Sequence, residues 1–224
     1  MVRFFDFIDK IIYINLDTRP DRDEEIRQEF KRLDIPSDKI MRFSAFSTSA
    51  GGAVGCSLSH IQALTIAKKN NWKNCLILED DFNFIDDTEF IDKIIEHFFT
   101  NFHEWDVLNL GRGYYQDFST TNSKYIQKVN DVSVAAAYIV NGNFYDTLLK
   151  NFYEGCEHLL KEPHKDKLYC VDRYWNKLQK VSNWYITNPS IGYQRRGMSN
   201  ILNTVCDNIQ FDKTIIFGKI NFSI

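Results

Sequence analysis

Apolar positions along the chain recur in two rhythms, and their alternation predicts strands separated by helices. KIIYINL (Lys10 to Leu16) reads as a buried strand, followed by Asp21 and Glu24 at capping-box spacing and by Ile26, Phe30 and Leu33 at helical spacing. Pro36 stops that helix, RFSAF (Arg42 to Phe46) predicts a short strand, and the small residues from Ser47 to Gly55 predict a loop. A second helix is expected to start at Ser59 and Gln62 and to bury Ile61, Leu64 and Ala67. A strand then ends in the acidic run of KNCLILEDD (Lys73 to Asp81), and Phe90, Ile91, Ile94, Ile95 and Phe98 make a third amphipathic helix.

Further strands are predicted over Trp105 to Gly111, Val132 to Val140 and Asn183 to Thr187, with a polar loop or irregular hairpin across 112–131. Helices are predicted over Phe144 to Phe152 and around Val171, Trp175 and Leu178, and the tail from Asn200 has no strong periodicity. Strands separated by helices imply a mostly parallel sheet with helices on both faces, an α/β fold. A chain of 224 residues, 44% of them hydrophobic, is expected to form one domain over 1–224, with a C-terminal tail from about 201.

Charge and cysteine usage narrow the function. A net charge of -3 without a basic cluster argues against nucleic acid. The N-terminus carries Asp6, Asp9 and Lys10 and reads as no secretion signal, and no run approaches a spanning helix. The five cysteines, Cys56, Cys75, Cys156, Cys170 and Cys206, are spaced neither as a metal knuckle nor as a redox pair. A chain with reduced, mostly buried cysteines and no integral membrane segment is expected in the cytoplasm. Its oligomeric state is not legible.

The chemistry concentrates at Glu79, Asp80 and Asp81, three carboxylates that end an apolar strand. Alternation along the strand sends Glu79 and Asp81 to one side and Asp80 to the other. The carboxyl end of a strand is where open α/β sheets bind ligands, and oxygen-rich clusters suit hard divalent cations. INLDTRPDR (Asn15 to Arg22) places Asn15, Asp17, Arg19 and Arg22 at the end of the first strand, suited to a nucleotide diphosphate or to an ordinary turn. In GCSLSH (Gly55 to His60) the glycine permits close backbone approach; His60 reads as binding at most and Cys56 as structural.

The fragments INLDTRPDR, RFSA, GCSLSH, LILEDD, AYIV and VDRYW (Val171 to Trp175), with Pro189, Gln194 and Ser199, together resemble glycosyltransferase family 25, whose members include lipopolysaccharide sugar transferases and collagen hydroxylysine galactosyltransferases. The resemblance implies a Rossmann-like GT-A domain. It implies a metal-dependent inverting transfer of a hexose, galactose first with glucose or N-acetylglucosamine as alternatives, from a UDP-sugar to a hydroxyl of a glycan or of hydroxylysine. It further implies a manganese or magnesium site at Asp81 with Glu79 and Gln194. Nucleotide-sugar contacts would come from Asn15, Leu16, Arg19, Ala45, Gly55, Ser59, His60, Glu79 and Asp80, where Glu79 or Asp80 reaches ribose or a metal-bound water. Asp172 matches an acidic position of the family and is the expected general base, with a helix cap as its ordinary alternative. Trp105, Trp175, Trp184, Tyr114 and Tyr115 are candidate sugar-stacking surfaces or core. The family's Ser-Asp-Ile is Ser199, Asn200 and Ile201 here, which removes one carboxylate. Two rival readings are a metal-dependent phosphoester hydrolase and a nucleotide-sugar or glycan-binding protein without activity.

Overall fold

The computed structural model describes residues 2–114, 116–199, 204–207, 209, 214–216 and 218–223. Tyr115, Asn200 and Ile201 lie outside them. In chain order the elements that build the site are β1 (Lys10–Asn15), α1 (Pro20–Arg32), β2 (Ile40–Ser44), α2 (Gly52–Lys69), β3 (Asn74–Glu79), β4 (Phe82–Phe84), α3 (Thr88–Asn101), β5 (Val107–Asn109), β6 (Gln116–Thr120), β7 (Ile126–Val132), β8 (Ala137–Asn141), α4 (Tyr145–Lys161), α5 (Asp166–Tyr169), α6 (Val171–Tyr174), α7 (Asn176–Gln179), β9 (Trp184–Thr187) and β10 (Gly192–Gln194).

Eight strands form one sheet in the order β2-β1-β3-β8-β5-β9-β7-β6. The pairings make β2, β1, β3, β5, β9 and β6 run one way and only β8 and β7 the other, so the expected mostly parallel direction holds. Because alternate strand residues face opposite sides, Ile11, Tyr13, Leu76 and Leu78 pack into one core with α1 and α3. Ile12, Ile14, Cys75 and Ile77 pack into a second core with α2 and α4. Helices therefore cover both faces, as the alternation predicts. None of the described helices is long and apolar enough to cross a membrane.

Several local expectations are corrected. No capping box forms at α1, whose N-cap is Arg19 and whose first position is Pro20; Asp21 instead binds the Arg19 guanidinium. The ring of Pro20 presets the helical φ and removes an amide that would otherwise need a cap. Helix α2 starts at Gly52, seven residues before Ser59, so Ser59 and Gln62 cap nothing. Small residues read as a loop, yet they let this helix lie close to the chain after β2. The apolar run from Val132 to Val140 is not one strand: β7 ends at Val132 and β8 begins at Ala137. Between them Val134 takes φ 89°, a conformation costly for a β-branched residue. The helix expected around Val171, Trp175 and Leu178 is two single turns, α6 and α7.

Trp175 and Trp184 are fully buried, and Trp105 nearly so, hence all three are core rather than sugar platforms. Tyr114 is exposed. The tail does return to the body of the protein. Phe222 stacks on Tyr125 at 4.2 Å between ring centroids, and the Ile220 amide donates to Asp87 at 2.6 Å.

Candidate active site

Parallel pairing brings the carboxyl ends of β1, β2 and β3 to one edge, since Asn15 lies opposite Ser44 and Ile14 opposite Glu79. The chain then turns through Asp80 and Asp81 into β4, which pairs antiparallel with β10 so that Gln194 lies opposite Phe82. Two pairings thus deliver Gln194 to the acidic turn from 113 residues away. The Gln194 amide donates to Glu79 Oε2 at 3.4 Å and to Asp81 Oδ2 at 3.2 Å. Glu79 and Asp81 therefore meet on one amide, although Asp80 and Asp81 lie in the turn beyond β3 and not in the strand. Asp80 accepts from Asn15 Nδ2 at 2.8 Å.

One guanidinium compensates part of this charge. Arg22 donates to Asp80 Oδ1 and to Asp81 Oδ2, both at 2.9 Å, and to the Met198 carbonyl. Arg22, grouped at sequence level with diphosphate ligands, is thus committed to the carboxylates. Asp81 is 8% exposed, and its Oδ1 is buried without a hydrogen-bond partner among the described residues. Burial first, and the Glu79 charge second, push the Asp81 carboxyl up to about 7 against the pull of Arg22. Burial also raises Asp80, opposed by Asn15 and Arg22.

Around this cluster stand the other residues singled out in the sequence. Asn15 is buried and accepts from Arg42 at 2.6 Å, and Arg42 in turn pairs with Asp17 at 2.7 Å. Arg19 donates back to the Leu16 carbonyl through its amide, closing the turn after β1. The Ala45 amide donates to the Asn15 carbonyl, extending the β1–β2 ladder. Ser59 is buried inside α2, accepts from the Phe46 amide at 2.9 Å and donates to the Gly55 carbonyl at 2.7 Å. A Cβ on Gly55 would lie 2.4 Å from the Phe46 carbonyl oxygen, so this glycine is required by the chain's own packing.

His60 is buried between Tyr138 and Glu79: Nδ1 lies 3.0 Å from Tyr138 Oη, and Nε2 lies 3.3 Å from Glu79 Oε1. Cys56, one helical turn earlier, places Sγ 4.0 Å from the same Oε1. Burial, then Glu79 and Asp172, push the Cys56 thiol well up, so the thiol is protonated in the metal-free protein. Helix α6, which carries Asp172, packs against α2. Asp172 is not a helix cap, because the N-cap of α6 is Cys170. Its Oδ2 accepts from the strained Val134 amide at 3.0 Å, and its Oδ1 from Cys170 Sγ at 3.0 Å.

Three features went unread in the sequence. The Arg22 bridge carries no local signal, since its partners lie 58 and 59 residues away. Arg195 donates to the Asp80 carbonyl at 2.8 Å and pairs with Glu25 at 2.5 Å, bracing the turn. The Cys56–His60 pair would have been legible from its four-residue spacing once the helix is started at Gly52. A broad surface depression of about 690 Å³ lies at the opposite, amino end of β3, lined by Trp72, Asn74 and Asn141, and holds none of these groups.

No curated protein matches the chain. Among solved structures it is similar to mannose-1-phosphate geranyltransferase from Thermus thermophilus, with 11% identity and a TM-score of 0.43 over 79% of this chain; it spans only 58% of that protein. It is also similar to a glycosyltransferase involved in glycosylation of the major capsid of PBCV-1, with 7% identity and a TM-score of 0.46 over 80% of this chain and 92% of that one. UDP-glucose pyrophosphorylase complexed with UDP-glucose is similar at 8% identity and a TM-score of 0.46, over 80% and 72% of the two chains. The model of glycosyltransferase family 25 (LPS biosynthesis protein) matches residues 38–158, which run from β2 through the acidic turn to α4. The chain belongs to that family and is a glycosyltransferase.

Proposed function

We propose that the chain transfers a hexose, galactose first, from a UDP-sugar to a hydroxyl of a glycan or of hydroxylysine, with inversion and with dependence on a divalent cation. The observation that carries the cation is Asp81 Oδ1, a buried carboxylate oxygen with no hydrogen-bond partner among the described residues, in a cluster of three carboxylates of which Arg22 contacts two. Hard oxygen donors at the end of a strand fit manganese or magnesium. Asp81 and Glu79 would hold the ion, joined by Gln194 once its amide turns to present the oxygen. When bound, such an ion neutralises the charge that develops on a departing nucleoside diphosphate.

The chain's own residues supply the rest. Asn15 and Arg22 fix Asp80, which meets Asp81 on the same Arg22 nitrogen and is suited to ribose or to a water on the ion. Asn15, Leu16, Arg19 and Ala45 form the turn that would border the nucleotide, and Gly55, Ser59 and His60 hold α2 against it. Asp172 takes the proton of the acceptor hydroxyl as that oxygen attacks the anomeric carbon and the bond to the diphosphate breaks on the opposite face. The packing of α6, which carries Asp172, against α2 supports this role.

A panel of nucleotide sugars with manganese, scored by release of free nucleoside diphosphate with and without glycan and hydroxylysine acceptors, tests the donor and the acceptor. UDP-sugars are expected to turn over and other nucleotide sugars not to. Titration with UDP, with and without manganese, tests the cation. Equal affinity in the two conditions would sink the cation bridge.

A further inference from the structure

Cys56 and His60 are four residues apart on α2, which puts both side chains on one face of the helix, against the last residue of β3. There Cys56 Sγ, His60 Nε2 and a Glu79 carboxylate oxygen all lie within 4.8 Å of one another. We propose that these three side chains form a second metal site, selective for zinc, that shares Glu79 with the cation site of the donor. The two sites divide one carboxylate between them. Oε1 faces the thiol and imidazole, and Oε2 faces Gln194 and, through it, Asp81.

The spacing suits zinc. Bond lengths to tetrahedral zinc set nitrogen and oxygen ligands about 3.3 Å apart and sulfur about 3.6 Å from either. His60 Nε2 and Glu79 Oε1 already stand 3.3 Å apart, Cys56 Sγ stands 4.0 Å from that oxygen, and all three atoms lie within 4.8 Å of one another, so the sulfur must draw in for the ion to bind. Imidazole with thiolate selects a borderline ion over magnesium or manganese, which prefer the all-oxygen cluster next door. Tyr138 Oη, 3.0 Å from His60 Nδ1, provides the outer partner that holds a metal-bound imidazole in one orientation. As the metal–sulfur bond forms, the thiol proton leaves to solvent. Three protein ligands leave one position open.

Cobalt, which absorbs visible light where zinc does not, gives the direct test. The chelator-treated protein titrated with cobalt is expected to take one equivalent with a thiolate-to-cobalt absorption band and the intense visible bands of a tetrahedral ion. One equivalent of zinc should abolish the spectrum, and excess magnesium should not. The band should persist in Cys206→Ser, vanish in Cys56→Ser, and need at least about tenfold more cobalt in His60→Gln, the loss of one ligand. A wild-type spectrum without a thiolate band overturns the proposal whether or not Cys56→Ser folds, and so does a band that survives in Cys56→Ser. Zinc is further expected to weaken manganese-dependent UDP binding through Glu79. That coupling rests on the transferase reading; the spectrum does not, so the two fail separately.

Discussion

Two aspartates, Asp92 and Asp81, are about equally buried, at 5% and 8% exposure, and their surroundings differ in kind. Asp92, on α3, has both oxygens taken: Oδ1 accepts from the Phe4 amide at 2.8 Å and Oδ2 from Arg3 at 2.9 Å. Asp81 has its Oδ2 taken twice, by Arg22 and Gln194, and its Oδ1 by none of the described residues. Burial raises both carboxyls, so burial alone does not separate them. What separates them is closure of the partner set. Asp92, which serves the fold, ends with both oxygens addressed, because an unaddressed buried oxygen costs free energy. The open oxygen of Asp81 is what the proposed cation would address.

Asp172 puts that rule under the hardest strain, because both of its oxygens are occupied, as those of Asp92 are, and yet it is the proposed base. Its partners differ from those of Asp92 in one respect: the Cys170 thiol is a weak donor, easily exchanged for an acceptor hydroxyl. Asp172→Asn is expected to cut turnover about a hundredfold or more while nucleotide affinity stays near wild type. Steady-state rates beside a UDP titration measure both. Turnover near wild type would make Asp172 only the anchor of the strained Val134 turn. Joint loss of binding and turnover would assign it to the donor site or the fold.

The next largest effects set the two aspartates side by side. Asp92→Ala strands the Arg3 charge and the Phe4 amide, and should cost about 2 to 3 kcal/mol in urea denaturation at neutral pH. Asp81→Asn leaves no comparable gap, so the metal-free fold should be as stable as wild type or more so. The same change should weaken manganese-dependent UDP binding by about tenfold to a hundredfold, the scale of one strong ligand. If Asp81→Asn instead unfolds the chain while UDP binding in the surviving fraction is intact, the comparison between the two corners is wrong.

How far this was legible in the sequence follows from which signals are local. The β3 run and its three carboxylates are contiguous, so the acidic end of the strand is legible, but Asp80 and Asp81 fall in the turn after β3, where one Arg22 nitrogen meets both and strand alternation does not sort them. Gln194 itself was reachable only through the family resemblance, since the pairing of β4 with β10 joins distant residues. Arg22 was left open between a diphosphate and a structural role, because nothing near it in the chain tells which carboxylates it will meet. Ser59 was read as a helix start because its spacing to Gln62 mimics a capping box; the actual start at Gly52 lies among small residues with no side-chain cap. The break at Val134 is invisible to hydrophobicity, for the residues on both sides are apolar. It is imposed by a contact with Asp172, 38 residues on.

The smallest expected effect is a slope against pH, and it isolates what the open oxygen of Asp81 costs. In the metal-free fold this carboxyl titrates near pH 7, whereas in the unfolded chain it titrates near about 4. Between those values the folded chain keeps a proton that the unfolded chain has released, so stability is greatest at the acid side and is lost as pH rises through about 7. The slope is at most about one proton. Asp80, also raised, adds to it in the same direction, so the wild-type curve alone does not assign it. The difference between wild type and Asp81→Asn does, because the amide does not titrate. Urea midpoints from about pH 4.5 to 8 in the presence of a chelator should show that difference shrinking the wild-type advantage, or widening its deficit, as pH rises. Two parallel curves would mean that Asp81 is charged in the folded state throughout, and that its unpartnered oxygen has found compensation without a cation.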